Sequence, residues 1–169
     1  QPSYESLLPA VWPDGLKEVY DQRERFDQPE GGPPNIDLTW PAVDDVSSLV
    51  GCWGSYYPDI AASDEPVRID DYSVLTLRED GTFTWSHLDN FGDLIPHVFT
   101  AVGVYELLDS RRLRLTESDL IDYNPLTQAY ESFTEDGLMS LDYLVTLDGD
   151  TLLVEGIAGD ETPGEAGVD

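Results

Sequence analysis

The chain has 169 residues, and 40% of them are hydrophobic, which is enough to fill a core and argues against global disorder. The chain has 35 acidic and 8 basic residues, so its formal net charge is −27 at pH 7. A surface of that sign repels phosphate backbones and anionic lipids, which argues against nucleic-acid binding and against peripheral membrane binding. No apolar run in the sequence is long enough to form a transmembrane segment.

The distribution of the acidic residues favours one of three explanations of the charge. Adaptation to high salt, attraction of cations and binding of a basic partner would each produce an acidic chain. The acidic residues are spread over the whole sequence and Lys17 is the only lysine, whereas a dedicated cation site needs only a local cluster. We therefore predict halophilic adaptation.

The covalent chemistry open to the chain is narrow. Cys52 is the only cysteine, which excludes an intramolecular disulfide and argues against a structural zinc site. Its neighbours Gly51 and Trp53 belong to an apolar run, so we predict that Cys52 is a small buried hydrophobe. The sequence begins at Gln1 without a methionine, which indicates removal of a signal peptide or artificial trimming of the chain, and we predict an extracytoplasmic protein, periplasmic or secreted. The sequence indicates no cofactor.

Residues 1–45 form an irregular N-terminal arm rich in proline, which breaks regular structure. One short helix is predicted from Leu16 to about Phe26, where apolar residues recur at helical spacing. Plain disordered tails are poor in large aromatic residues, but this arm carries five of them: Tyr4, Trp12, Tyr20, Phe26 and Trp40. Such residues either pack the arm on its own barrel or dock it on another protein.

From residue 46 to residue 158 the sequence predicts an all-β domain. Eight candidate strands are predicted, near 49–57, 72–78, 82–88, 97–108, 111–117, 128–134, 138–147 and 151–157, and apolar and polar residues alternate clearly in several of them. Turn signals separate most of them, for example Asp80-Gly81. Consecutive antiparallel strands form a meander, and eight of them can close into an up-and-down β-barrel. Residues 159–169 read as an acidic, flexible tail with nothing to bury.

Short motifs in the predicted barrel resemble those of a known family. The tripeptide Gly51-Cys52-Trp53 matches the Gly-x-Trp signature of lipocalins. Four further motifs follow in the order typical of small bacterial lipocalin-like domains of the calycin group: Asp80-Gly81-Thr82-Phe83, Gly103-Val104-Tyr105, Leu113-Arg114-Leu115 and Asp150-Thr151-Leu152. Leu141-Asp142-Tyr143 lacks the threonine of the family's Thr-Asp-Tyr motif, and the last strand lacks the family's arginine, so the chain resembles a divergent relative. The resemblance implies a barrel whose floor is closed by Trp53.

We expect the barrel to bind a small apolar molecule, because eight strands can enclose one. The candidate lining consists of apolar and aromatic side chains of the predicted strands: Trp53, Leu75, Leu77, Phe83, Trp85, Val102, Val104 and Tyr143. The fourth strand is apolar on both faces, so the side that faces inward is left open. The second interpretation is an accessory or structural subunit of a multiprotein assembly, in which residues 1–45 dock on a protein partner or on a second copy of the chain.

A third interpretation is an enzyme or a metal-binding protein that uses the segment between the two histidines. His87 and His97 flank Asp89 and Asp93, and two imidazoles with two carboxylates can ligate a divalent ion. The spacing matches no established ligand pattern, so a solvated loop is the favoured interpretation. No motif selects a nucleophile or an acid–base pair, and we assign no catalytic residue.

Overall fold

The computed structural model describes residue 3 and residues 5–21, 41–60, 68–89, 96–132, 138–148 and 151–156. Short 3-10 helices lie at Glu5–Leu7 and Val46–Leu49, and one α-helix, α1, lies at Leu16–Asp21. The strands are β1 (Gly51–Ile60), β2 (Arg68–Leu77), β3 (Thr82–Asp89), β4 (His97–Asp109), β5 (Arg112–Asn124), β6 (Ala129–Ser132), β7 (Ser140–Asp148) and β8 (Thr151–Gly156). None of the described helices is long and apolar enough to cross a membrane.

The strands form one antiparallel sheet, which confirms the all-β prediction, but the prediction of a closed eight-stranded barrel is wrong. The continuous path of the sheet has seven strands, in the order β1-β2-β3-β4-β5-β7-β8, and β6 pairs with β5 off this path. The physical reason lies in β5, which is 13 residues long. Its first half pairs with β7 from Arg112 to Thr116, and its second half pairs with β6 from Ile121 to Asn124. The predicted sixth strand, near 128–134, therefore lies beside β5 as β6 and is not part of the continuous path, and the sheet is not closed.

The turn between β2 and β3 shows how the sequence sets the register. Gly81 has a φ of +87°, which glycine adopts without strain, and the Arg78 N–H donates to the Thr82 carbonyl at 2.9 Å. Asp80 Oδ1 accepts hydrogen bonds from the Thr82 backbone N–H at 3.0 Å and from the Thr82 hydroxyl at 2.7 Å. These bonds hold the pKa of Asp80 below its usual value. The resulting register pairs Leu77 with Phe83, so alternate residues of both strands share one face.

One face of the sheet, here called the inner face, curls round a large hydrophobic core. Trp85 on β3 and Tyr143 on β7 are separated by three strand spacings, about 14 Å in a flat sheet. Their ring centroids are nevertheless 5.8 Å apart, so the sheet must be strongly curved. The buried members of this core come from five strands and from the segment before β1: Val43, Leu49, Leu75, Leu77, Phe83, Ala101, Tyr105, Leu113, Leu115 and Val145.

The segment 41–49 packs on the core of the inner face. Val43 and Leu49 are fully buried in the core, and the Val43 N–H donates to the Ser110 carbonyl at 2.7 Å. The indole Nε1–H of Trp53 donates to the Leu49 carbonyl at 2.9 Å, so Trp53 ties the first strand to this segment. Residues on both sides of the boundary predicted between 45 and 46 therefore pack in the same core.

The opposite face, here called the outer face, is covered in part by the N-terminal arm. Leu16 and Val19 of α1 are buried against Val74, which points away from the inner face. A Cβ at Gly54 would come within 2.7 Å of Val19 Cγ2, so glycine at this position lets α1 approach β1 closely. Leu8, Trp12 and Tyr20 pack against the same cluster. The predicted helix extended to Phe26, but residues 22–26 lie outside the described part of the chain, as does the predicted tail.

The prediction of a buried cysteine is wrong. Cys52 is exposed, because it alternates with Trp53 and therefore belongs to the outer face. Its cross-strand partner is Thr76, whose hydroxyl lies 3.6 Å from the Cys52 Sγ. The apolar neighbours of Cys52 in the sequence do not show on which face of the sheet its side chain lies, because only one of two successive strand residues points into a core.

Candidate binding site on the inner face

The structure brings six of the eight predicted lining residues together. Trp53, Leu75, Leu77, Phe83, Trp85 and Tyr143 all belong to the inner-face core. Val102 and Val104 do not, because they pair with Thr84 and Thr82 and so lie on the outer face, where Val104 is 54% exposed. On β4 the inner positions are instead held by Ala101, Gly103 and Tyr105.

The inner face has a sealed floor and a partly open aromatic surface. Leu77 and Phe83, here called the floor, are each only 1% exposed and offer almost no surface to a ligand. By contrast, Trp85 and Tyr143 are half-buried although they pack on the same core. Large rings that pack on one side and meet solvent on the other provide a surface to which a small molecule can bind.

Four rings on this surface contact each other in sequence, and we call them the aromatic row: Tyr143, Trp85, His87 and Phe99. Tyr143 and Trp85 meet edge to face at 5.8 Å between ring centroids. Trp85 and His87 are 5.2 Å apart, and His87 stacks on Phe99 at 4.7 Å with an interplanar angle of 15°. The row thus crosses from β7 to β3 and on to β4, with all four rings half-buried.

Glu117 places a carboxyl group on the inner face, and its charge acts on Tyr143 at one end of the row. It pairs with Gly103, an inner-face position of β4, and its Oε1 accepts a hydrogen bond from the Met139 N–H at 3.0 Å. Burial raises the pKa of Glu117 above its usual value, and the Met139 hydrogen bond opposes this in part. Burial raises the pKa of Tyr143 to about 12, and the charge of Glu117 contributes to that shift.

Asp122 lies near the opposite end of the row, where it pairs with Phe99. Burial raises the pKa of the Asp122 carboxyl, and the nearby charge of His97 acts in the opposite direction. His97 pairs with Asp89 at the end of β3, and it follows the same alternation as Phe99. Of the described carboxyl groups, Glu117 therefore acts on the Tyr143 end of the row and Asp122 lies beside its Phe99 end.

The two histidines do not form part of a metal centre in the described structure. Among the described residues, no group of three or more His, Cys, Asp or Glu side chains is arranged to hold a metal ion. His87 is instead stacked in the aromatic row. Asp93 and the predicted loop at 90–95 lie outside the described residues, and the side chain of Asp89 is not described. A metal site or an active site in that segment therefore stays a prediction.

Two of the five aromatic residues predicted to dock a partner pack on their own sheet. The rings of Trp12 and Tyr20 are 5.3 Å apart, and Tyr20 meets Tyr72 of β2 edge to face at 5.4 Å. The Tyr130 hydroxyl donates a hydrogen bond to the Val11 carbonyl and so ties the same segment to β6. Tyr4, Phe26 and Trp40 lie outside the described residues, so their predicted role is neither supported nor contradicted.

The sequence predicted Trp85 and Tyr143 as lining residues, but it predicted neither the complete aromatic row nor its two neighbouring carboxyl groups, Glu117 and Asp122. For the two carboxyl groups, the reason is a register shift between Val102 and Gly103. It leaves Ser118 unpaired with β4 and changes the alternation of β5, so that Glu117 and Leu120 both share the inner face although they are three residues apart. The available signal of this change was Leu120. It is an apolar residue at an even position, whereas the preceding apolar residues Leu113 and Leu115 stand at odd positions.

No family model matches the chain, and no curated protein or solved structure is significantly similar to it. The motif resemblance to lipocalin-like domains therefore stays a prediction.

Proposed function

We propose that this chain is a non-catalytic binding protein that holds a small, largely apolar molecule against the inner face of its curved sheet. The observation that carries the proposal is the aromatic row, four half-buried rings in mutual contact above a sealed hydrophobic floor. The proposal keeps the ligand class predicted from the sequence but replaces the closed barrel by a curved, unclosed sheet.

The free energy for binding comes from covering the exposed part of these rings. Removing apolar surface from water contributes about 25 cal/mol per Å², and aromatic pairs add about 0.5–1.5 kcal/mol when their rings stack or meet edge to face. The row is also held in place before a ligand arrives, because Trp85 contacts both Tyr143 and His87. A preformed surface loses little conformational entropy on binding.

Docking of a protein partner through residues 1–45 is the alternative function, and it receives less support from the described residues. Trp12 and Tyr20 are engaged with the outer face, so they would have to leave their own sheet before binding another protein. That step exposes Leu16 and Val19, which are now buried. A docking role would therefore rest on Tyr4, Phe26 and Trp40.

The test is a titration with a neutral, apolar naphthylamine dye, because an anionic dye would be repelled by the net charge of −27. We expect the dye to bind the full chain and Trp85→Leu to weaken binding by about tenfold, which corresponds to about 1.4 kcal/mol. Trp12→Leu is the matched control, since it makes the same change to a half-buried tryptophan on the outer face. Equal losses in both variants, or no dye binding at all, would contradict the proposal.

A further inference from the structure

The aromatic row ends beside a carboxyl group whose setting is unusual for this acidic chain. Most of the acidic side chains whose burial the structure describes are exposed, but Glu117 is half-buried on the inner face. Within the described residues, its carboxylate accepts one hydrogen bond from a backbone N–H, and no arginine or lysine forms an ion pair with it. By comparison, the carboxylate of Asp142 on the outer face pairs with Arg114 at 2.7 Å.

A carboxylate that loses water without gaining a positive partner is destabilised in its ionised form. The direction of its pKa agrees with this environment, because burial is the largest influence on Glu117. A positive charge brought to the inner face would compensate the lost hydration. The rings of Trp85 and Tyr143 offer a second attraction to the same charge, since the faces of aromatic rings attract cations within about 6 Å.

We propose that the ligand of the inner face is cationic, and that Glu117 together with the Tyr143–Trp85 end of the aromatic row receives an alkylated ammonium group. This inference rests on the proposed function and adds the chemical class of the ligand. A quaternary or tertiary ammonium group fits better than a small metal ion, because its methyl groups can lie against rings that a hydrated ion would not approach closely. The overall charge of −27 raises the local concentration of any such cation.

A purely structural role for Glu117 is the competing explanation, because its hydrogen bond to Met139 supports the start of β7. Glu117→Gln separates the two roles. The glutamine retains a side-chain oxygen that can accept from the Met139 N–H, but it carries no charge. Glu79→Gln is the matched control, since it makes the same change of net charge at an exposed position of the turn between β2 and β3.

The experiment compares phenyltrimethylammonium with tert-butylbenzene, its neutral isostere of nearly the same shape. Both titrations are made by calorimetry on the full chain in about 1 M NaCl, where the Debye length is about 3 Å and the general field of the protein is screened. We expect the cation to bind about tenfold more tightly than the neutral compound. Glu117→Gln should remove that preference and leave the affinity for tert-butylbenzene unchanged, whereas Glu79→Gln should change neither affinity.

The possible results separate this inference from the function on which it rests. If both compounds bind equally to the unmodified chain, the inner face is a binding site but the cationic ligand is wrong. If Glu117→Gln and Glu79→Gln weaken cation binding to the same extent, only the general field acts, and the inference is again overturned. If neither compound nor the neutral dye binds, the proposed function fails as well. If Glu117→Gln does not fold, equal affinities of the unmodified chain for the two compounds would still overturn the inference.

Discussion

Asp142 shows how a single acidic residue is accommodated on the outer face of a chain with few cations. It is buried, and the Arg114 Nε and Nη2 atoms donate to its two carboxylate oxygens at 2.7 and 3.1 Å. Arg112 Nη1 lies 3.7 Å from the same carboxylate. The hydrogen bonds from Arg114 hold the pKa of Asp142 below its usual value, and burial opposes them. Two of the chain's 8 basic residues thus serve one carboxylate.

We predict that Asp142→Asn lowers the free energy of unfolding by about 1 kcal/mol at neutral pH, a modest value because both arginines are partly exposed. A carboxyl with a depressed pKa in the folded state contributes stability above the pKa of the unfolded chain, and that contribution is lost as the pH falls through the folded value. The difference between the two proteins should therefore shrink on acidification from pH 6 to about pH 3. Urea unfolding at several pH values measures it, and a difference that grows on acidification would contradict the ion pair.

At the scale of elements, α1 illustrates a helix that depends on its contacts. It has six residues, and an isolated helix of that length is not stable in water. Its stability must come from burying Leu16 and Val19 against the outer face, where Gly54 leaves room for the Val19 side chain. The arm is therefore fixed to the sheet at this point, even though its sequence is rich in residues that break regular structure.

We predict that Val19→Ala destabilises the protein by about 2 kcal/mol, from two buried methyl groups at about 0.8 kcal/mol each plus a cavity term. Val11→Ala is the matched control, because Val11 is 74% exposed while Val19 is 7% exposed. The control should change the free energy of unfolding by less than about 0.5 kcal/mol. Equal losses in urea unfolding would mean that α1 does not pack on the sheet as described.

The sequence predicted the strands well because their signals are local. Alternation and turn residues, such as Asp80-Gly81, indicate a strand and its end without reference to the rest of the chain. Closure could not be predicted in the same way, since it depends on β5 dividing its pairing between β6 and β7. The prediction of the lining residues was wrong at β4 for a related reason. Val102 and Val104 are as apolar as Ala101 and Tyr105, so alternation alone could not show which side of the strand faces inward.

At the scale of the whole molecule, the dominant property is the net charge of −27. Folding brings these charges together, and their mutual repulsion opposes the compact state. The described ion pairs offset only a small part of this charge: Lys17 with Asp21, and Arg112 and Arg114 with Asp142. Counterions in solution must supply much of the remaining compensation.

We predict that the melting temperature rises by about 5 °C or more between dilute buffer and about 1 M NaCl, because salt shortens the Debye length from tens of ångströms to about 3 Å. Scanning calorimetry at constant pH measures the change. A melting temperature that stays constant over this range would contradict halophilic adaptation. The same experiment in sucrose of equal osmolality controls for stabilisation by solute exclusion.

The unclosed sheet leaves a further consequence for a protein with this charge. In the described structure β1 pairs only with β2, and β8 pairs only with β7. Each of these strands therefore has one edge whose backbone N–H and C=O groups pair with no described strand. Such edges are templates for strand pairing between molecules. Pro58 interrupts the donors along β1, and repulsion between highly charged copies keeps the molecules apart. Salt that stabilises each molecule also weakens this repulsion between molecules. Higher ionic strength therefore raises the stability of the fold but lowers its protection against self-association.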